Sequence, residues 1–294
     1  MLSPASPVNA DRVTSGCEEL RRLGYVPKLD EKSVLASDGF FAGSTKERLG
    51  ALLGALAEPE TRAIFCTRGG YGSNYLLDDF RPAAEAPKIF VGFSDLTSLQ
   101  IFVWMKFRWV TFYGPMVAAG LDCGAGGAHG YDRESLVRAL TETKKGWSLD
   151  LKGESICVGE GSGVVLGGCL TLIEATLGTP WELETDGSIL LLEDRGMKPY
   201  QVDRSLMHLK QAGKFRGVVG IVLGDFPECE AADGGEPANE IARRILAPLG
   251  IPVVWGAAIG HTARPMLTIP LGVRARLSAS GPGCLEILEP AVIA

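Results

Sequence analysis

The sequence of 294 residues has few histidines and no long apolar or basic run. Its formal net charge is −6, and no cluster of lysine or arginine suggests a surface for nucleic acid or anionic lipid. No segment reaches the roughly 18 consecutive apolar residues of a membrane span, and the first residues lack the basic-then-apolar pattern of a secretory signal. These absences predict a cytoplasmic protein whose partner is a small molecule, not nucleic acid or a membrane.

Cysteine is present but does not occur in the pattern of a disulfide or metal site. The seven cysteines are odd in number, widely spaced and mostly set among apolar residues. A disulfide framework or a zinc site would need close, paired cysteines, so we interpret these as packing residues. Only three histidines are available to a mechanism that needs an imidazole: His129, His208 and His261.

Helical patterns alternate with short apolar runs in the first half of the chain. Residues 11–23 place their apolar side chains on one helical face, and Ser44 with Glu47 forms a capping box before the next helix. The runs in RAIFCTRGGYG and KIFVGF are typical of strands. The alternation predicts an α/β domain with a doubly wound parallel sheet over residues 1–125.

The second half of the chain has a different pattern of residues. A glycine-rich stretch, CGAGGAHGYDRES, opens a segment that we interpret as a linker over residues 126–158. Strand-like runs such as SILLLE and IPVVWGAAIG dominate beyond it. We therefore expect a second, β-rich domain over residues 159–294.

Ser94 follows the run FVGF and precedes a helical segment. Open α/β sheets present ligand groups at such positions, so Ser94 is a candidate nucleophile. The alternative is an ordinary N-cap, whose oxygen accepts from the first turn of the helix. Both stay open, because Thr97 stands where a capping box needs Glu or Gln, and Leu96 stands where a G-x-S-x-G elbow needs glycine.

Glu193 closes the apolar run SILLLE. Burying a carboxylate without a partner is costly, so a partner is expected. The sequence leaves two kinds of partner open, namely an imidazole or a nearby arginine, Arg195 or Arg204.

His261 also comes directly after an apolar run, and Gly260 before it leaves room for close approach. His208 lies in a helix with an apolar face and is interpreted as a packing or surface residue. His129 lies in the glycine-rich stretch and is interpreted as solvated. His261 is therefore the candidate catalytic histidine.

The three candidates form a coherent chemical set. A serine hydroxyl is a weak nucleophile at neutral pH, and a histidine that is oriented by a carboxylate can accept its proton. The oxyanion that forms when the serine attacks a carbonyl needs preorganised donors. The candidate donors are the backbone amide of Gly69 or Gly70, in the turn RGGYG, and the amide of Asp95 at the start of the next helix. The predicted catalytic residues are Ser94, Glu193 and His261.

The order and content of several segments resemble one family, the LD-carboxypeptidases. The matching segments are SPASPV, DGFFAGSTKERL, IFCTRGGYGSNYLL, VGFSDLTSL, TFYGPM, LLLEDRGMKPYQVDR and GHTARPMLTIPLG. The resemblance implies a cytosolic serine peptidase with Ser94 as nucleophile, Glu193 and His261 as its partners, and an oxyanion hole at Gly70 and Asp95. It also implies a homodimer with no metal or cofactor.

The same resemblance implies a flavodoxin-like N-terminal domain, a β-rich, barrel-like C-terminal domain and a site between them. The implied reaction releases the terminal D-alanine from a murein tetrapeptide in peptidoglycan recycling. Arg68, Gly69 and Tyr71 are the expected substrate-binding residues. The substrate carboxylate has three candidate receptors, Arg68, Arg195 and Arg264.

Two other functions stay open at this point. A peptidase of the microcin C self-immunity type would cleave a nucleotide-like leaving group and would need a residue that stacks on the base, for which Trp147 and Trp181 are candidates. The other alternative is a catalytically inactive module that keeps the fold and uses it to bind a peptide.

The N-terminal segment departs from the family pattern. Similar proteins carry a full strand before PASP, whereas this sequence has only Met1, Leu2 and Ser3 there. We expect unpaired groups along the neighbouring strand unless the fold compensates.

Overall fold

The computed structural model describes residues 1–82, 87–231 and 235–293, which form two β-sheets and their helices. In chain order the strands are β1 (Ala63–Phe65), β2 (Ile89–Gly92), β3 (Thr111–Tyr113), β4 (Trp147–Asp150), β5 (Glu154–Cys157), β6 (Gly159–Cys169), β7 (Ser188–Glu193), β8 (Gly220–Gly224), β9 (Val253–Ala257), β10 (Ile269–Leu271), β11 (Arg274–Ala279) and β12 (Cys284–Ile287). The helices are α1 (Ala10–Arg22), α2 (Glu31–Val34), α3 (Thr45–Ala57), α4 (Thr97–Phe107), α5 (Arg133–Thr141), α6 (Leu170–Ala175), α7 (Pro199–Gln211) and α8 (Ala238–Leu246).

The smaller sheet has the strand order β1-β2-β3-β10. Its first three strands are parallel, and α4 connects β2 to β3. Strand β10 comes from the second half of the chain and pairs antiparallel with β3. The predicted α/β fold with an N-terminal parallel sheet is confirmed, and the capping box of Ser44 and Glu47 starts α3 as expected.

The larger sheet has the order β4-β12-β11-β6-β7-β8-β9-β5, in which β6 to β9 are parallel. Its two outermost strands, β4 and β5, are joined by residues 151–153 alone. The amides of Leu151, Gly153 and Ser155 donate to carbonyls of the turn at 281–283. The sheet therefore curls until its edges meet at this turn, which agrees with a β-rich, barrel-like second half.

The segment predicted as a linker, 126–158, is folded. It contains α5 and the two edge strands β4 and β5 of the larger sheet. Each of these strands is only four residues long, too short for a clear periodic signal in the sequence. The domain boundaries at 125 and 159 stay a prediction.

Helix α4 follows the turn that contains Ser94 and lies between the two sheets. Its residues 97–103 are all buried, because the helix contacts β6 and α6 of the second half as well as its own sheet. No helix among the described residues is long and apolar enough to cross a membrane.

The first residues pair with the end of β1. The amide of Leu2 donates to the carbonyl of Phe65 at 3.4 Å, and its carbonyl accepts from the amide of Thr67 at 2.9 Å. The neighbouring strand is thus partnered at this position. The edge of β1 also borders a groove of about 750 Å³.

Candidate active site

The predicted site residues all follow strand ends at one edge of the two sheets. Gly69 and Gly70 follow β1, Ser94 follows β2, and His261 follows β9, while Glu193 is the last residue of β7. Ligands in open α/β sheets bind beyond the carboxyl ends of the strands, so the topology gathers these groups. Ser94, Gly69, Gly70 and His261 line one cavity of about 350 Å³.

Ser94 has a left-handed backbone with φ of 63°. A non-glycine residue in this region is strained and often functional. Its side chain caps neither the 3₁₀ turn of residues 94–96 nor α4. The N-cap interpretation is therefore wrong, and Ser94 occupies an elbow-like turn although Leu96 replaces the usual second glycine.

Glu193 is fully buried and hydrogen bonds to His261 twice. Its Oε2 lies 2.8 Å from the ring Nδ1 and accepts from the backbone amide of His261 at 2.8 Å. Gly260 permits this approach, because a Cβ at that position would lie 2.3 Å from the carboxylate carbon. The imidazole, not Arg195 or Arg204, is thus the partner of the buried carboxylate.

Tyr113 is hydrogen bonded to the other carboxylate oxygen of Glu193. Its hydroxyl donates to Glu193 Oε1 at 2.5 Å and accepts from the amide of Ser94 at 3.4 Å. Burial and the nearby charge of Glu193 hold the pKa of Tyr113 well above 10, so the hydroxyl stays a donor. A continuous hydrogen-bonded chain therefore runs from the backbone of Ser94 to the ring of His261.

The charge of Glu193 also sets the protonation of His261. Burial alone lowers the pKa of the imidazole, but the carboxylate charge and hydrogen bond outweigh it, and the pKa lies above 6.5. The ring packs edge-on against Phe93, with centroids 5.2 Å apart. With Nδ1 bound to Glu193, Nε2 is the ring atom available to the hydroxyl of Ser94.

Two amides flank Ser94 without acceptors in the described part of the chain, those of Gly70 and Asp95. A Cβ on Gly69 would lie 3.0 Å from Ser94 Oγ and 3.2 Å from the amide nitrogen of Asp95, so the glycine turn runs directly beside the serine. This close approach explains why glycine is needed here. The amides of Gly70 and Asp95 therefore stay the candidate donors of an oxyanion hole.

Polar contacts, most of them buried, hold the segments that carry both amides. The side chain of Asp95 accepts from the amide of Ser73 at 2.8 Å, and its carbonyl accepts from the hydroxyl of Ser73 at 2.6 Å. Ser6 Oγ accepts from the amide of Tyr71 at 2.9 Å. The buried guanidinium of Arg48 donates to the carbonyl of Gly72 at 2.6 Å. The turn is thus anchored at several points outside the cavity.

The other predicted residues divide into those near the cavity and those away from it. Arg68 and Arg195 line it, whereas Tyr71 lies outside its lining among the aromatic rings of Phe41 and Tyr75. Arg264 is bound to Asp225 and is also outside the lining. His208 is half-exposed and bonds to Glu174, as expected for a surface or packing histidine.

Three residues were not singled out for the site by the sequence. Tyr113 ends a strand in the segment TFYGPM, and nothing in its spacing marked a polar role. His129 and Arg12 both line the cavity. His129 is exposed, as expected, but a hydrogen bond from its amide to the carbonyl of Ala263 brings the glycine-rich stretch beside His261.

A buried carboxylate bonded to a histidine, in a cavity that a serine with a left-handed backbone also lines, is the arrangement expected of a serine-type peptidase. The sequence model of the LD-carboxypeptidase N-terminal domain matches residues 1–114, and that of the C-terminal domain matches residues 162–277. The chain belongs to the LD-carboxypeptidase family, and the resemblance seen in the sequence is confirmed.

Known relatives cover nearly the whole chain. A probable murein peptide carboxypeptidase of Bacillus subtilis is 32% identical over 285 residues, 95% of this chain and 88% of the relative. The crystal structure of muramoyltetrapeptide carboxypeptidase from Oxalobacter formigenes is 28% identical with a TM-score of 0.85, covering 98% of this chain and 97% of that one.

A second group of relatives is named for self-immunity to microcin C7. The microcin C7 self-immunity protein MccF of Escherichia coli is 29% identical over 306 residues, 92% of this chain and 87% of the relative. The structure of MccF in complex with aspartyl sulfamoyl adenosine has a TM-score of 0.86 at 26% identity, covering 99% of this chain and 96% of that one.

Proposed function

We propose that the protein is a serine carboxypeptidase that hydrolyses the L,D-peptide bond of murein tetrapeptide and releases the terminal D-alanine. The observation that carries the proposal is the hydrogen-bonded chain from Ser94 through Tyr113 and Glu193 to His261, beside a cavity that both Ser94 and His261 line. Peptidoglycan recycling in the cytoplasm, by a homodimer, completes the proposal.

In the proposed mechanism His261 Nε2 takes the proton of Ser94 as Oγ attacks the scissile carbonyl carbon. The tetrahedral intermediate collapses, the C–N bond breaks, and the leaving amine of D-alanine receives the proton from His261. Water then attacks the acyl-enzyme ester with His261 again as the base, the ester C–O bond breaks, and His261 returns the proton to Ser94 Oγ. Glu193 holds the ring and stabilises the imidazolium in each step.

The amides of Gly70 and Asp95 would bind the oxyanion of each tetrahedral intermediate. One such donor is worth about 100- to 1000-fold in rate. Because both lie on turns tied down by Ser6, Ser73 and Arg48, little reorganisation is needed when the charge develops.

The lining of the cavity favours a peptide over a nucleotide-like substrate. Among the described residues no tryptophan lines it. Trp147 is buried in β4, and Trp181 packs on Phe102 with ring centroids 5.8 Å apart. The described lining contains neither tryptophan nor tyrosine, and its phenylalanine, Phe93, is buried edge-on against His261, whereas arginines suited to carboxylates are present.

The test is a comparison of two substrates with the purified protein. Murein tetrapeptide should lose one alanine residue by mass, and the Ser94→Ala variant should release none. Rapid hydrolysis of an aminoacyl sulfamoyl adenosine with an intact tetrapeptide would refute the proposal in favour of the MccF-like activity. Turnover of neither substrate would favour a non-catalytic binding module.

A further inference from the structure

Three arginines line the catalytic cavity, and they differ in their partners. Arg12 pairs with Asp122 at 2.5 Å, and Arg195 pairs with Glu228 at 2.5 Å. Arg68 has no carboxylate within 4.0 Å anywhere in the described ranges. It is therefore the lining arginine whose charge is left for a ligand.

The backbone places Arg68 directly beside the proposed oxyanion turn. It precedes Gly69 in the chain, and its Nη2 lies 3.9 Å from the point where a Cβ on Gly70 would stand. Its Nη1 donates to the carbonyl of Pro7 at 3.1 Å, which fixes the guanidinium on this side of the cavity. The remaining N–H groups of the fork have no acceptor in the part of the chain that the structure describes.

The chemistry of a carboxypeptidase calls for a receptor of the terminal carboxylate close to the scissile bond, and a cation suits that role. In a substrate the terminal carboxylate is separated from the scissile carbonyl carbon only by the leaving nitrogen and its Cα. Its receptor must therefore lie within a few ångströms of the oxyanion donors. Arg68 is one residue from Gly69, and a guanidinium binds a carboxylate through two parallel hydrogen bonds.

We propose that Arg68 binds the terminal carboxylate of the leaving D-residue and thereby restricts cleavage to the last peptide bond. This inference depends on the proposed carboxypeptidase function. A chain that continued beyond the scissile bond would bring a neutral amide to Arg68 in place of the carboxylate. The guanidinium would then lose its ionic partner, which penalises internal cleavage.

The test measures a preference as well as an activity. Release of D-alanine from the tetrapeptide is compared with release of D-alaninamide from the same peptide with an amidated C-terminus. We expect the wild-type kcat/KM to favour the free acid by about 30-fold or more, since a charge-assisted pair loses one partner in the amide. In Arg68→Gln the acid rate should fall until the two rates agree within about threefold, while the amide rate is kept.

The other two lining arginines provide matched controls. Arg12→Gln and Arg195→Gln should keep most of the preference for the acid, because each arginine already has a carboxylate partner. Arg68→Lys keeps the charge without the fork and should recover part of the preference.

The outcomes separate this inference from the proposed function. An Arg68→Gln variant that still prefers the acid as wild type does, or that loses both rates equally, overturns the role of Arg68 alone. A wild-type protein that releases neither D-alanine from the tetrapeptide nor D-alaninamide from its amide overturns the carboxypeptidase function and this inference with it.

Discussion

The two sides of the cavity that Ser94 and His261 line are organised by different features of the structure. On the side of the smaller sheet, the backbone defines the site through the strained turn at Ser94 and the glycine turn beside it. On the side of the larger sheet, a buried charge defines it through Glu193 and the hydrogen bonds to His261. Tyr113 belongs to the smaller sheet and is bonded to both sides.

This difference indicates the kind of substitution to which each side is most sensitive. The nucleophile side should respond to changes in backbone conformation, whereas the base side should respond to changes in charge and in pH. Changes on the two sides should therefore have separable effects, and a change at Tyr113, which joins them, should affect both.

The largest effect is expected from the nucleophile itself. Ser94→Ala removes the attacking oxygen and should lower kcat for tetrapeptide by about 10⁴-fold or more. Its fold should be kept, because Ser94 Oγ caps no helix. Burst kinetics and steady-state release of D-alanine provide the measurement, and substantial residual turnover would mean that another residue is the nucleophile.

A large effect that depends on pH is expected from the base side. In the wild type kcat/KM should fall as the pH drops through the raised pKa of His261, above 6.5, because only the neutral ring accepts a proton. Glu193→Gln removes the charge that raises this pKa, so burial dominates and the acid limb moves to lower pH. The rate at the optimum should fall by about 10³-fold or more.

Glu174→Gln is the matched control for this change. Glu174 also binds a histidine Nδ1, that of His208 at 2.7 Å, but lies outside the cavity lining. Its variant should keep the wild-type pH profile. An unchanged profile in Glu193→Gln as well would show that Glu193 does not control the base.

A smaller loss of rate, with a shift of the acid limb in the opposite direction, is expected at Tyr113, where the two sides are joined. Tyr113→Phe removes the donor to Glu193 Oε1, so the carboxylate keeps more of its charge for His261 and the acid limb moves to higher pH. The kcat should fall about 10- to 100-fold with little change in KM, because orientation is lost and binding is not.

Tyr131→Phe removes an equally buried hydroxyl, which bonds to Glu19 at 2.7 Å outside the cavity lining. Its pH profile should not move. If Tyr113→Phe also leaves kcat and the profile unchanged, the hydrogen-bonded chain has no role in positioning.

The smallest effect concerns stability and the strained backbone. Ser94→Gly should be about 0.5 to 1 kcal/mol more stable to urea than Ser94→Ala, because glycine adopts the left-handed conformation without a Cβ penalty. At Ser98, a buried helical residue of α4, the same comparison should favour alanine. A more stable alanine variant at both positions would argue against strain at Ser94.

The sequence predicted most of the elements on which the site is built, because strands and helices of normal length carry strong periodic signals. It did not predict that β10 pairs with β3, since pairing across some 160 residues leaves no local pattern. The short strands β4 and β5 were interpreted as linker for a similar reason. Their pairing partners, β12 and β9, lie elsewhere in the sequence.

The candidate site was predictable where residues directly follow apolar runs, as Ser94, Glu193 and His261 do. The strained conformation of Ser94 was not, because Leu96 removes the glycine that marks such a turn. Tyr113 was missed because a tyrosine at the end of an apolar strand has the ordinary character of a packing residue. Only the three-dimensional structure shows its hydroxyl between Ser94 and Glu193.

The central claim is that the buried Glu193–His261 pair activates Ser94 across the two sheets. Its most direct test is the rate at which a serine-directed fluorophosphonate labels the protein, measured by intact mass and peptide mapping. We predict one adduct on Ser94, none in Ser94→Ala, and labelling slowed by at least about 100-fold in His261→Ala. Labelling of Ser94 at the wild-type rate without the imidazole, or an adduct on another residue, would contradict it.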